Sequence, residues 1–311
     1  MRIFALLFAA LLSLGLVAAT TGQDSDDGAT LYEVDLETGE ASEVDSIGDG
    51  LDVIGLALAP LPETADDPQV AYALTTDGML VEFEVDTPAE TTSEVEISGL
   101  EDDEALIGID VRPATDELFA VSDASTLYSV DTESGEATAI DGPFDPVLEN
   151  VVLGFDFNPT VDRIRADVST TQNLRLNPEN GMVGTNPDTG EPTIDGNLAY
   201  AEGDDNSGET PFVVGAAYTN SVADAEETEL YSIDANTDTL NLQDPPNDGT
   251  QNTVGELGVD ATELTGFDIS QPDTETDPED EGTAYLAISP FEGLSATPSP
   301  DATPISGVSN D

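Results

Sequence analysis

The sequence predicts an all-β protein: a β-propeller of about five four-stranded blades, closed by pairing of strands from its two ends. Three observations lead there. The phrase Leu31-Tyr-Glu-Val-Asp-Leu-Glu-Thr-Gly39 returns as Leu127-Tyr-Ser-Val-Asp-Thr-Glu-Ser-Gly135 and, weakened, as Leu230-Tyr-Ser-Ile-Asp-Ala-Asn-Thr-Asp238. A second phrase travels with it, as Ile107-Gly-Ile-Asp-Val-Arg-Pro113, Leu153-Gly-Phe-Asp-Phe-Asn-Pro159 and Leu264-Thr-Gly-Phe-Asp268. The apolar residues come in short alternating runs, and no segment carries the 3.6-residue stripe of a core helix. Strand-length self-similarity at a spacing of roughly 40 to 50 residues is the mark of blades around an axis. A β-sandwich is the alternative architecture.

In chain order, residues 1–19 read as a secretory signal, with Arg2 before an apolar run from Ile3 to Val17 and small residues at Ala18 and Ala19. The run is too short for a comfortable membrane span. Residues 20–29 form a polar lead, and residues 30–290 the propeller domain. Residues 291–311, rich in Ser, Thr, Pro and Asp, read as a disordered tail. Within the domain the clearest unit is Ile107 to Ile140. Its first strand stops at Arg112-Pro113, because proline cannot donate to a ladder. Leu118 to Ser122 and Leu127 to Val130 follow across a tight turn at Asp123-Ala-Ser. Asp131 to Gly135 then turns the chain, with glycine suited to positive φ, into Ala137 to Ile140. Similar units fit at 54–99, 153–196 and 213–257. Residues 31–48 and 264–289 are each half a unit, so they are expected to pair and remove the exposed edges. A sixth blade arises if Asn197–Thr210 supplies further strands.

Charge is the other dominant feature. There are 67 acidic residues against 5 basic ones, a net charge of −62, and all five basic residues are Arg: Arg2, Arg112, Arg163, Arg165 and Arg175. Such a field repels nucleic acid and anionic membranes. The acids are spread along strands and turns, so neither an acidic tail nor a disordered chain accounts for them. Adaptation to high salt does: at about 1 M the Debye length is about 3 Å, and self-repulsion is screened. The melting temperature is therefore expected to rise steeply with salt; a flat one from dilute to molar salt excludes this reading. Neither Cys nor His occurs. Disulfides, imidazole-held zinc and Ser-His-Asp or Cys-His nucleophiles are excluded.

Two groups of residues have the makings of a site. Arg163 and Arg165 share one face of a strand, and Asn173, Arg175 and Asn177 one face of the next. If these strands form a hairpin, Arg163, Arg165, Arg175 and Asn173 make a guanidinium and amide cluster able to hold a carboxylate or phosphate. The competing reading is that Asp156, Asp162, Asp167 or carbonyls hold each Arg as a brace between blades. The Gly-x-Asp strands supply the second group. Asp110, Asp156 and Asp268 recur once per blade and converge on the axis as metal ligands if these strands are innermost. The competing reading is that each Asp bonds a neighbouring blade's backbone. Calcium is the one cofactor suggested, by this group and by Asp204-Asp-Asn-Ser-Gly-Glu209, which lacks the full twelve-residue calcium-loop pattern. Pro245 to Gly249 is a rigid turn with no catalytic role.

Several long phrases together resemble one family. Leu153 to Arg165, Gln172-Asn-Leu-Arg-Leu-Asn-Pro178, Leu198-Ala-Tyr-Ala, Ala217-Tyr-Thr-Asn220 and Leu242 to Gly249 are similar, in order, to domain-of-unknown-function family 4394, over about Val70 to Ile288. The resemblance implies a secreted or surface-associated β-propeller without an established activity, and it carries over no catalytic residues. Members usually continue past the Gly-Phe-Asp strand into a Leu-Tyr-x-Ile-Asn/Asp-x-x-Thr-Gly unit. Here that unit stands at Leu31–Gly39 instead, in agreement with ring closure. The expected function is a secreted, periplasmic or cell-surface binding protein, monomeric and without catalysis, taking a small anion or an extracellular partner. The alternative is a carboxylate- or metal-dependent hydrolase, like lactonase-type propellers, with its site in the central channel.

Overall fold

A computed structural model describes residues 28–62, 68–184, 195–272 and 282–290. The signal, almost all of the polar lead, and the tail lie outside the described residues. Strands β1 (Thr30–Val34) and β2 (Ala41–Ser46) open the chain. Blade II is β3 (Val53–Leu58), β4 (Val70–Thr75), β5 (Met79–Glu84) and β6 (Thr91–Glu96). Blade III is β7 (Leu106–Arg112), β8 (Glu117–Ser122), β9 (Leu127–Val130) and β10 (Ala137–Ala139). Blade IV has three strands, β11 (Leu153–Asn158), β12 (Arg163–Val168) and β13 (Asn173–Leu176). Blade V follows a short β14 (Ala199–Tyr200) with β15 (Val213–Tyr218), β16 (Leu230–Asp234), β17 (Thr239–Gln243) and β18 (Thr250–Glu256). Finally β19 (Thr265–Ile269) and β20 (Ala284–Ile288) join β1 and β2 in the order β19-β20-β1-β2, which makes blade I.

The protein is thus a five-bladed β-propeller closed by strands from both ends. Across the closing pair Tyr32 lies opposite Leu286 and Glu33 opposite Tyr285. Within Asn197–Thr210 the one strand is β14, and it adds to blade V in parallel with β18 rather than starting a sixth blade. No helix among the described residues is long and apolar enough to cross a membrane.

The repeated phrase is now readable as geometry. Asp35, Asp131 and Asp234 end the Leu-Tyr strands, and each turns its Oδ1 onto the backbone N–H groups two and three residues ahead. This Asx turn needs a left-handed residue to close, supplied by Gly39 and Gly135 at φ 82° and 71° and by Asp238 at 51°. The glycines of the second phrase do something different. The innermost strands β3, β7, β11, β15 and β19 touch in a ring, each carrying a glycine at the same level: Gly55, Gly108, Gly154, Gly215 and Gly266. A Cβ on each would meet the residue that follows the glycine of the next blade. It would lie 2.6 Å from the Leu56 nitrogen at Gly266 and 2.7 Å from Phe267 Cβ at Gly215, and still closer to the Ala216 nitrogen at Gly154. Five strands approach the axis this closely only because those side chains are absent.

Four of the five seams between blades are apolar. Leu31, Val53 and Phe83 fill seam I–II, and Leu74, Ile109 and Leu118 fill II–III. Phe119, Phe155 and Ile164 fill III–IV, with Phe119 and Phe157 edge-to-face at 5.2 Å, and Ile233, Leu240 and Phe267 fill V–I. Among the described residues, seam IV–V has only Ala216, Tyr218 and Leu230 as its apolar cluster. Polar side chains fill the rest.

Candidate functional site

The Gly-x-Asp strands are innermost, as their recurrence implies, and place three carboxyls at the axis. Asp110, Asp156 and Asp268 are all buried, with one oxygen from each lying within 4.8 Å of the others. The equivalent positions in blades II and V are Ala57 and Ala217. Each carboxyl also reaches one blade onward: Asp110 accepts from Phe157 N at 2.7 Å, Asp156 from Tyr218 N at 3.0 Å and Asp268 from Leu58 N at 2.6 Å. Asp110 and Asp268 accept a further bond from Val111 N and Ile269 N. The three carboxyls therefore converge at the axis and also latch neighbouring blades.

Burial pushes all three carboxyls up, because desolvation penalises the charged form. Asp268 reaches about 7. Asp110 and Asp156 stand well above the usual carboxylate range, raised further by the charges of their companions. Along the axis the glycine ring and the residues beside it line a small cavity of about 10 Å³. That is room for about one water molecule.

The arginine hairpin forms as the strand pattern implies. Arg165 lies opposite Arg175, and Asp167 opposite Asn173, so these four and Arg163 share the face of blade IV that looks at blade V. Arg165 is 1% exposed. Its guanidinium donates to Asp195 Oδ2 at 2.8 Å, Asn247 Oδ1 at 2.9 Å, Tyr218 Oη at 3.3 Å and the Asn173 side-chain oxygen. Arg175 completes the arrangement with a two-pronged pair to Asp195, at 2.6 and 2.8 Å. Two guanidiniums thus share one carboxylate. Asn173 donates to the carbonyls of Gly196 and Pro246. The Pro245–Gly249 turn, a 3-10 turn over Pro246–Asp248 that ends at left-handed Gly249, is therefore part of the seam and not only a connection.

On the same face of blade IV a recess of about 240 Å³ is lined by blade IV residues, Arg163, Arg175, Asn177, Asn180 and Met182 among them. Arg163 donates to the carbonyl of Asp162 at 2.6 Å and makes no ion pair with a carboxylate among the described residues. Arg112 is a brace: it binds Asp162 and Glu179 across seam III–IV and lies 5.8 Å from the Phe119 ring centroid. Asp204 is held by Asn206 N, Thr253 N and Thr253 Oγ1, which pins the loop before blade V onto β18.

The sequence reading assembled Arg163, Arg165, Asn173 and Arg175 but missed their partners Asp195, Tyr218 and Asn247, up to 82 residues away. One signal was available. In Thr239-Leu-Asn-Leu-Gln243 the polar residues alternate strictly, which marks one polar face; the face is buried, against blade IV.

Compared with known proteins, residues 79–297 match the family described as Domain of unknown function (DUF4394). No curated protein matches the chain. Among solved structures it is similar to BBS1N in complex with ARL6DN, soaked with lead, at 8% identity and a TM-score of 0.37, over 78% of this chain and 64% of that one. It is also similar to YCF48 bound to D1 peptide, at 11% identity and a TM-score of 0.34, over 73% and 60%. The chain spans less than two thirds of the length of either.

Proposed function

The chain belongs to the family of domain of unknown function 4394, and from that premise we propose that it is a secreted, salt-adapted, monomeric binding propeller. Its ligand is a small anion, taken in the recess on the arginine face of blade IV. One observation carries this reading: in a chain of net charge −62, an arginine without a carboxylate partner among the described residues lines a recess beside a second arginine. Two guanidiniums with the amides of Asn177 and Asn180 suit a carboxylate or phosphate group, whose oxygens accept several charge-assisted bonds. Arg165 and Asn173 support the recess from behind rather than touch the ligand. The hydrolase alternative draws less support, because the axial cavity is far smaller than an organic substrate.

Titration with inorganic phosphate and with succinate at constant ionic strength tests this. One saturable site is expected, weakened about tenfold or more by Arg163→Gln with the melting temperature unchanged, the size of one lost charge-assisted contact. No saturable binding, or equal binding by the variant, contradicts it.

The axial triad supports a second, structural reading. Oxygens within 4.8 Å of one another suit a cation at the ~2.4 Å typical of calcium, and the backbone donors on the carboxyls favour their charged forms. A cation must displace protons there. Calcium is accordingly expected to raise the melting temperature more at pH 8 than at pH 5. No effect at either pH removes this reading.

A further inference from the structure

Behind the arginines, seam IV–V contains polar atoms that the described residues leave without partners. Asp167 is 0% exposed, and neither of its carboxylate oxygens has a partner in good hydrogen-bond geometry among the described residues, although the Gln243 amide and the Arg165 guanidinium lie near enough to favour its charge. Asn241, also 0% exposed, has an amide nitrogen without a hydrogen-bond partner among the described residues. Strand register places them on facing walls of the same seam, one strand apart. Asp167 stands on the second strand of blade IV, opposite Gly154, which itself packs on Ala216 of blade V. Ala216 lies opposite Ser232, and Ser232 opposite Asn241, so this row of blade V faces Asp167 across the seam. Around them the other polar groups are engaged. Ser232 Oγ donates to Gln251 Oε1 at 2.7 Å, Gln251 Nε2 to Gln243 Oε1 at 2.6 Å, and Gln243 Nε2 to the Pro246 carbonyl at 2.9 Å.

Buried polar groups are almost always bonded, to protein or to ordered water, and a lone buried carboxylate is among the most unfavourable exceptions. The three orphaned atoms define their missing partner. When Asp167 is charged, that partner donates to its oxygens and accepts from the Asn241 amide N–H. A metal cation accepts nothing and is repelled by the adjoining Arg165 guanidinium. An anion donates nothing. Both residues are 0% exposed, so the partner must be small enough to be buried with them.

We infer that seam IV–V encloses ordered water, bound between Asp167 and Asn241, as an integral part of the propeller. Water has both hydrogen-bonding roles and ordinarily makes about three bonds in such sites. It completes the one seam that apolar packing does not, and so fixes the wall from which Arg165 reaches Asp195. The inference is independent of the anion recess, whose ligand lies outside this wall.

A high-resolution crystal structure of the intact domain tests it directly. Water density within about 3.2 Å of both an Asp167 carboxylate oxygen and the Asn241 amide nitrogen is expected. A dry seam, with Asp167 bonded straight to Gln243 or Arg165, overturns the inference, as does a metal ion coordinated there. In solution, water-oxygen magnetic relaxation dispersion counts long-lived internal waters. Asn241→Leu is expected to lower the count by at least one, and an unchanged count in a folded variant contradicts the assignment.

Discussion

The melting temperature, measured in molar salt, falls on the order of 10 °C as pH rises from 5 to 8. The cause is the buried carboxyls. Asp268 is raised by burial from 3.8 to about 7, Asp167 likewise to about 7, and Asp110 and Asp156 are raised well above their usual range. In the unfolded chain all four titrate near 4. The folded state therefore binds more protons than the unfolded state between about pH 4 and 7, and the stability this confers at acidic pH is lost as pH rises through the folded values. Between pH 5 and a folded value of about 7, one such carboxyl loses about 3 kcal/mol of stabilisation, which sets the scale of the fall. Molar salt matters to the design. It screens repulsion among the surface acids, which would otherwise give a slope of the same sign, and screens the buried axial carboxyls much less. Asp156→Asn keeps an oxygen for Tyr218 N but deletes one titrating group, so the variant is expected to flatten the profile. A profile unchanged by that substitution would place the pH dependence elsewhere.

Gly154→Ala is expected to destabilise the domain by about 3 kcal/mol, as overpacking against backbone does. The added methyl meets the Ala216 nitrogen, Ala216 Cβ and the Gly215 carbonyl carbon, two of them backbone atoms of the innermost strand of blade V. A rotamer change cannot relieve such a clash; the strand must move, and with it the latch from Asp156 to Tyr218. Gly142→Ala is the matched control, since nothing lies within 4 Å of its new Cβ. Chemical denaturation of both variants measures the difference. Equal stabilities would mean that the axis tolerates separation.

The parts of this architecture visible in the sequence are those written locally. An Asx turn needs Asp and a left-handed residue four positions on, so Asp35 to Gly39 and Asp131 to Gly135 announce strand ends wherever they occur. Closure was legible from two incomplete units with complementary strands. That Asp110, Asp156 and Asp268 meet was legible only conditionally, because it depends on which strand lies innermost. The partners of the arginines were not legible. Asp195 and Asn247 sit in connections, 30 and 82 residues from Arg165, and in a chain with 67 acids no single Asp stands out. Nor does a polar alternation such as Thr239 to Gln243 reveal whether its polar face meets water or another blade. That choice is made by the ring, after the strands exist.

Ring closure underlies the axial triad, the glycine contacts and the polar seam alike, and a cross-link tests it most directly. The native chain has no cysteine, so Glu33→Cys with Tyr285→Cys introduces the only two thiols, on residues paired across β1 and β20. Paired strand positions lie within the ~4.4–6.8 Å Cα range that a disulfide spans. Mild oxidation is predicted to join them almost completely, giving a species that runs faster on a non-reducing gel and melts at a higher temperature. A control with Glu33→Cys and Glu136→Cys, on blade III, is predicted to stay open. Two thiols at 33 and 285 that remain free under the same conditions would contradict the closed wheel.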